Sequence, residues 1–249
     1  MNNTLKTQLK GWYPVLQETL ESNYFKEIKA TIKEDMQTDE IYPKGTDILK
    51  AFSLCPIEKT KIIIIGQEPY HDGTATGLAF ANPTKCEVIS PSLDIIKEEL
   101  ETTVGLVALP FNQNLEHWAQ QGVLLLNTAL TTKRGAPGAH IDLWDRFTTT
   151  FLQNFSKLKT KVIYMLWGEY AQQYEQYIGK GNHILKASHP ISEIYKNQEG
   201  GFLGCDHFNL ANDIIVDEHG EDEQIQWLYT QEQIEFLHSD NIKDNFDEI

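Results

Sequence analysis

Residues 61–66 read KIIIIG, a run of β-branched side chains that ends in a glycine. A short, continuous apolar run of this kind is typical of a strand that is buried on both faces of a parallel sheet. Three further segments have the same character, namely residues 122–127 (GVLLLN), 161–167 (KVIYMLW) and 183–188 (HILKAS). The four runs predict a mainly parallel four-stranded sheet.

Segments with helical spacing of apolar residues precede or separate these strands: residues 1–60, 93–100, 145–158 and 168–177. Ser90 or Ser92 is placed to cap the helix that starts near residue 93. Strands that alternate with helices predict an α/β fold, here a three-layer αβα sandwich with helices on both faces of the sheet.

Acidic residues are concentrated near the C-terminal end of the sequence. The chain has 21 Lys and Arg against 36 Asp and Glu, a formal net charge of −15. Residues 213–249 hold 12 acidic residues and one Lys, so they carry −11 and residues 1–212 carry −4. We expect residues 1–212 to form one domain and residues 213–249 an acidic extension, either a solvated segment or a tail that mimics DNA or binds a protein partner.

The apolar runs, the N-terminal residues and the cysteines indicate the cellular compartment of the protein. The sequence contains no run of about 18 apolar residues, the length that spans a bilayer, and its first ten residues lack the apolar region of a secretory signal. Cys55, Cys86 and Cys205 lie far apart without metal-site spacing, which favours reduced thiols. We expect a cytoplasmic protein that makes no membrane contact, in the host cytoplasm if the protein is viral.

Polar residues follow three of the predicted strands. Gln67 and Glu68 come after the first, Asn127 ends the second, and His189 follows the fourth. Taken singly, such an Asn is usually a turn residue and such a His a loop residue. The carboxyl ends of parallel strands share one edge of the sheet, however, and ligands bind there. The convergence of these residues predicts a ligand site.

Residues 66–71 read GQEPYH and resemble, with one difference, the GQDPYH motif of family-1 uracil-DNA glycosylases. Six further segments resemble that family in the same order: residues 77–80 (GLAF), 90–93 (SPSL), 122–131 (GVLLLNTALT), 166–172 (LWGEYAQ), 188–190 (SHP) and 201–208 (GFLGCDHF). The resemblance implies a uracil-DNA glycosylase-like fold and an enzyme that hydrolyses the uracil–deoxyribose bond in DNA repair. It implies no metal and no cofactor.

The resemblance also implies a role for each site residue. Glu68 takes the position of the carboxylate that orients water and stabilises the cationic sugar. His189 takes that of a neutral imidazole that donates to uracil O2, and Asn127 that of the amide that reads N3–H and O4. The other expected uracil contacts are Gln67, Tyr70 beside C5 and Phe80 stacked on the ring. The expected DNA contacts are Ser92, Ser188, Ile191 and Ser192.

The sequence departs from the family in two loops. Glu68 replaces Asp, and one added methylene moves a carboxylate by more than about 1 Å unless its loop compensates. Residues 189–195 read HPISEIY where the family has HPSPLS, which leaves Ile191 as the expected wedge into the duplex and puts Glu193 near phosphates. A basic rim is expected from Lys133, Arg134 and Lys186.

Three functions remain open from the sequence. The first is a monomeric enzyme that excises uracil from single- or double-stranded DNA. The second is a catalytically weak or inactive relative that acts as a DNA-binding, replication or assembly subunit, which Glu68 and the acidic tail favour. The third is a glycosylase for another modified base, against which Tyr70 and Asn127 argue because together they specify a small, uracil-shaped ligand.

Overall fold

The computed structural model describes residues 3–104, 111–195 and 201–229. Its strands are β1 (Ile41–Tyr42), β2 (Ile62–Gly66), β3 (Val123–Asn127), β4 (Thr132–Lys133), β5 (Ile163–Trp167) and β6 (His183–Ala187). Its helices are α1 (Asn3–Leu9), α2 (Tyr13–Glu21), α3 (Asn23–Asp35), α4 (Lys50–Leu54), α5 (Pro91–Thr103), α6 (Glu116–Gln121), α7 (Ile141–Leu158), α8 (Glu169–Gln172), α9 (Ser192–Tyr195) and α10 (His207–His219).

The main sheet has four parallel strands in the order β3-β2-β5-β6. Every residue of β2, β3 and β5 is buried, because helices flank the sheet and leave these strands no solvent-facing side. The edge strand β6 is only partly buried. The predicted α/β fold with a four-stranded parallel sheet is confirmed, and the observed strands start within two residues of the predicted ones.

A second, two-stranded sheet was not predicted. β1 and β4 pair antiparallel, with Ile41 opposite Lys133 and Tyr42 opposite Thr132. Strands of two residues carry no readable alternation of apolar and polar side chains, so the sequence pattern could not reveal them. The pairing ties the segment after β3 to the segment after α3, which matters for the site described below.

Two of the helical predictions needed adjustment. Residues 168–177 form the short helix α8 followed by a 3-10 turn at Gln173–Tyr177. Ser90 occupies the N-terminal cap of α5, but its hydroxyl makes no capping bond and instead lies 2.5 Å from the hydroxyl of Tyr70. In the part of the chain that the structure describes, no helix is both long and apolar enough to cross a bilayer.

The boundary that we expected at residue 212 falls inside a helix, since α10 runs from His207 to His219. The chain then returns to the body, where Ile225 and Trp227 are each 2% exposed. The Trp227 indole donates to the Phe208 carbonyl at 3.1 Å, and its own carbonyl accepts from Trp118 at 2.8 Å. The packed body therefore extends to at least Trp227, and an acidic extension as a unit stays a prediction.

We predict that Trp227→Ala lowers the free energy of unfolding by about 3–5 kcal/mol, because it opens a cavity against Trp118 and Phe208. Denaturant unfolding followed by circular dichroism measures this. Val88→Ala, at a side chain that is 76% exposed, is the control and should change stability by less than about 0.5 kcal/mol. Equal effects of the two changes would show that the C-terminal segment is not part of the core.

Candidate active site

The ends of β2 and β3 lie side by side and form one wall of the site. Gly66 is paired with Asn127 in the parallel register. The backbone N–H of Thr128 donates to the Gly66 carbonyl at 2.9 Å, and that of Ala129 donates to the Gln67 carbonyl at 2.9 Å. These bonds hold the Gln67 backbone next to Asn127.

The missing side chain of Gly66 makes room for the amide of Asn127. A Cβ atom on Gly66 would lie 2.4 Å from Asn127 Oδ1 and 2.9 Å from the Cβ of Ala79. Asn127 is only 7% exposed, and none of the hydrogen bonds among the described residues involves its amide. The amide is not one of the fully buried polar groups without a partner, so it keeps some accessible surface and can pair with a ligand.

Aromatic rings form the opposite wall. Phe80 follows Ala79 in the chain with a left-handed φ of +65°. Its ring centroid lies 5.4 Å from that of Trp167 and 6.0 Å from that of His189. The structure thus brings Phe80 and His189, which are more than a hundred residues apart, to one place, and adds Trp167, which the sequence analysis did not assign to the site.

Tyr70 is fixed beneath Phe80. Its hydroxyl donates to the Phe80 carbonyl at 3.2 Å and lies 2.5 Å from the hydroxyl of Ser90. Burial raises the pKa of Tyr70 to about 12, so the hydroxyl keeps its proton at neutral pH. The ring therefore has a fixed position between the β2 loop and the start of α5.

His189 presents a defined tautomer. The backbone N–H of Ile191 donates to its Nδ1 at 3.2 Å, so Nδ1 carries no proton and the neutral ring carries its proton on Nε2. Burial lowers the pKa of His189, which keeps the ring neutral. Gly168, with φ +87°, lies against it, and a Cβ there would approach the His189 Cβ to 2.7 Å.

The carboxylate of Glu68 is bound by the segment after β3. The backbone N–H of Gly138 lies 2.9 Å from Oε1 and 2.7 Å from Oε2, and the hydroxyl of Thr132 donates to Oε2 at 3.1 Å. The sequence analysis missed both donors. Thr132 stands five residues after Asn127, and no local pattern distinguishes it from the neighbouring threonines.

The four expected DNA contacts fall into two places. Ser92 lies in the first turn of α5. Ser188, Ile191 and Ser192 flank His189, where the Ser192 hydroxyl donates to the His189 carbonyl at 2.7 Å. A cleft of about 590 Å³ is lined by Ser188, His189 and Ser192 together with Gly168, Glu169, Gln172, Lys186 and Ala187.

Glu193, which the sequence analysis expected near phosphates, is bound within the protein. Its Oε1 accepts the backbone N–H groups of Phe202 and Leu203, so the carboxylate links α9 to residues 202–203. The next two side chains are exposed instead, Ile194 by 53% and Tyr195 by 80%.

Each cation of the expected basic rim is paired with an acidic side chain. Lys133 contacts Asp35 at 2.5 Å and Asp39 at 3.4 Å. Arg134 contacts Glu40 at 2.7 Å, and Lys186 contacts Glu175 at 3.0 Å. Each cation faces an acid, so little net positive charge arises at these positions.

The fold and the site together define an α/β protein with a ligand site at the carboxyl edge of a parallel sheet. That candidate site combines an available amide, a neutral imidazole, a wall of tilted aromatic rings and a bound carboxylate. Residues 52–215 match the family model described as the uracil DNA glycosylase superfamily. The chain belongs to this superfamily.

Relatives of this chain cover nearly its whole body. A protein of Amoebophilus asiaticus named uracil-DNA glycosylase is 40% identical over 213 residues, which are 84% of this chain and 94% of the relative. One of Fusobacterium nucleatum with the same name is 38% identical over 226 residues, 90% of this chain and 97% of the relative. The crystal structure of mimivirus uracil-DNA glycosylase shares the fold, with a TM-score of 0.79, 23% identity and coverage of 87% and 85% of the two chains.

We predict that ¹⁵N NMR at neutral pH shows His189 as a neutral ring protonated on Nε2. The Ile191 N–H occupies Nδ1, and burial disfavours the imidazolium. Comparison with the His189→Gln protein assigns the signals. An imidazolium at pH 7, or a proton on Nδ1, would contradict the geometry.

Proposed function

We propose that this protein hydrolyses the N-glycosidic bond of uracil in DNA and leaves an abasic site, and that within its superfamily it belongs to the group with the GQDPYH motif. The observation that carries the proposal is the amide of Asn127 over Gly66, which has no hydrogen-bond partner among the described residues and keeps some accessible surface. Such an amide offers one acceptor and two donor hydrogens to a ligand. Uracil supplies one donor, N3–H, and one acceptor, O4, for a side-chain amide.

The chemistry of the reaction fits the rest of the site. Bond cleavage puts positive charge on the sugar and negative charge on the departing base. A neutral His189 donates its Nε2–H to O2 as charge develops there, and one such donor is worth about 2.7–4 kcal/mol in other enzymes. Glu68 supplies the carboxylate that stabilises the cationic sugar and orients water, as in related glycoside chemistry.

Base selection rests on three side chains. Asn127 pairs with uracil and mispairs with cytosine, whose N3 and exocyclic amine reverse both hydrogen-bonding groups. Phe80 stacks on the base, worth roughly 1–3 kcal/mol. The fixed ring of Tyr70 fills the space beside C5 and excludes the methyl group of thymine.

DNA is the proposed macromolecular partner, and a glycosylase reaches its base by extruding it from the stack. Ser92, Ser188 and Ser192 are the proposed phosphate contacts, and Ile191 is the proposed wedge. Because Lys133, Arg134 and Lys186 are paired with acids and the net charge is −15, the protein should bind DNA weakly and with strong salt sensitivity. A monomeric state, a cytoplasmic location and a protein partner for residues 213–249 complete the proposal.

We predict that the purified protein releases uracil from a uracil-containing oligonucleotide at low salt. His189→Ala should lower kcat by about 10²–10³-fold. Asn127→Asp should lower the rate of uracil excision, and it should also lower the ratio of uracil excision to cytosine excision. Asn23→Asp, at an exposed asparagine on α3, is the matched control and should leave activity unchanged. If the protein binds uracil-containing DNA specifically but forms no abasic product, it is a binding protein and the proposed enzymatic function is wrong.

We predict that kcat falls to half its maximum on the acid side at a pH below 6.5, the ordinary pKa of histidine. Burial lowers the pKa of His189, so the neutral, active ring persists at pH 6.5 and is lost only as the pH falls through the lower value. A kcat profile from about pH 5 to about pH 8 tests this. Half-loss of activity at or above pH 6.5 would contradict the role of a buried neutral imidazole.

A further inference from the structure

The most unusual group in the site is Glu68, whose carboxylate is held at both oxygens. Gly138 N–H reaches Oε1 and Oε2, and the Thr132 hydroxyl reaches Oε2. Both donors come from residues 132–138, a segment that the catalytic assignments do not use.

The Thr132 hydroxyl has one proton and two neighbouring acceptors. Glu68 Oε2 lies at 3.1 Å and the Ala136 carbonyl at 3.2 Å. A hydrogen bond to a carboxylate is about twice as strong as one to a neutral carbonyl. The Thr132 hydroxyl therefore donates its hydrogen bond to Glu68 Oε2, and this bond is charge-assisted.

Both ends of this segment are anchored to one carboxylate on α3. Asp35 accepts from Lys133 through Oδ1 at 2.5 Å and from His140 through Oδ2 at 3.1 Å. His140 is 2% exposed, and its other ring nitrogen lies 2.8 Å from the hydroxyl of Thr131. The N–H of Gly135 also donates to the His71 carbonyl at 2.9 Å. The segment is thereby fixed against the body before any ligand arrives.

We propose that Thr132 and the Gly138 amide are the positioning groups of Glu68, and that the side chain at position 68 must be Glu to reach them. This inference rests on the proposed function of the site. Asp at position 68 would withdraw the carboxylate by about 1.5 Å, the length of one carbon–carbon bond. It would then fall short of both donors.

A double-mutant cycle tests whether Thr132 acts through Glu68. With saturating single-stranded uracil oligonucleotide, Thr132→Val should lower kcat by about 10- to 100-fold and leave KM nearly unchanged. Thr132→Ser should restore most of the activity. In a Glu68→Gln background, Thr132→Val should change kcat by less than about twofold, because the partner charge is already gone. Glu68→Asp should lower kcat by about 10-fold or more.

Thr149→Val is the matched control, since this threonine on α7 donates to the Arg146 carbonyl and is expected to leave kcat unchanged. Fully multiplicative effects of Thr132→Val and Glu68→Gln would overturn the proposal, and so would a Glu68→Asp protein more active than the natural one.

A second measurement does not depend on activity. The amide proton of Gly138 should resonate downfield in the natural protein and move upfield in both Glu68→Gln and Thr132→Val, because it reports the position of the carboxylate. A Gly138 amide that is indifferent to Glu68→Gln would refute the positioning role even if the protein excises uracil. An inactive natural protein whose Gly138 amide follows Glu68 would refute the proposed function and leave the positioning role intact.

Discussion

The site depends on the close approach of two polar side chains to two glycine residues. Gly66 ends β2 and Gly168 follows β5, the two central strands of the sheet. A Cβ on Gly66 would lie 2.4 Å from Asn127 Oδ1, and one on Gly168 would lie 2.7 Å from the Cβ of His189. Because the strand order is β3-β2-β5-β6, Asn127 at the end of β3 lies against Gly66, and His189, two residues after β6, lies against Gly168. The amide and the imidazole therefore approach the sheet edge from opposite sides.

Neutral donors rather than cations give this site its electrostatic character. Burial keeps the imidazole of His189 neutral, and the carboxylate of Glu68 accepts hydrogen bonds from the Gly138 N–H and the Thr132 hydroxyl. Fixed dipoles need no reorganisation when charge develops, and they are most effective where water is excluded. The nearby cations Lys133 and Arg134 are each paired with acids, so they stabilise the loop geometry instead of adding a general attraction for phosphate.

The strands and the meeting of their polar ends were predictable, because buried parallel strands have a local apolar pattern and share one carboxyl edge. The support of Glu68 was not predictable, since Lys133 and Asp35 are 98 residues apart and pair only in the folded chain. Glu193 was expected near phosphates, but the backbone N–H groups of Phe202 and Leu203 bind its carboxylate, a contact between segments that no local pattern shows. The burial of Trp227 was missed because acidic neighbours dominate that segment in the sequence.

The central claim is that Asn127, Phe80 and His189 enclose a slot for one pyrimidine that carries no methyl group at C5. Titration of the isotope-labelled protein with free uracil, and separately with thymine, tests it most directly. The account predicts that uracil shifts the side-chain amide signals of Asn127 and the Nε2–H signal of His189, while thymine leaves both in place. Equal responses to uracil and thymine, or a uracil response confined to residues away from the ends of β3 and β6, would contradict it.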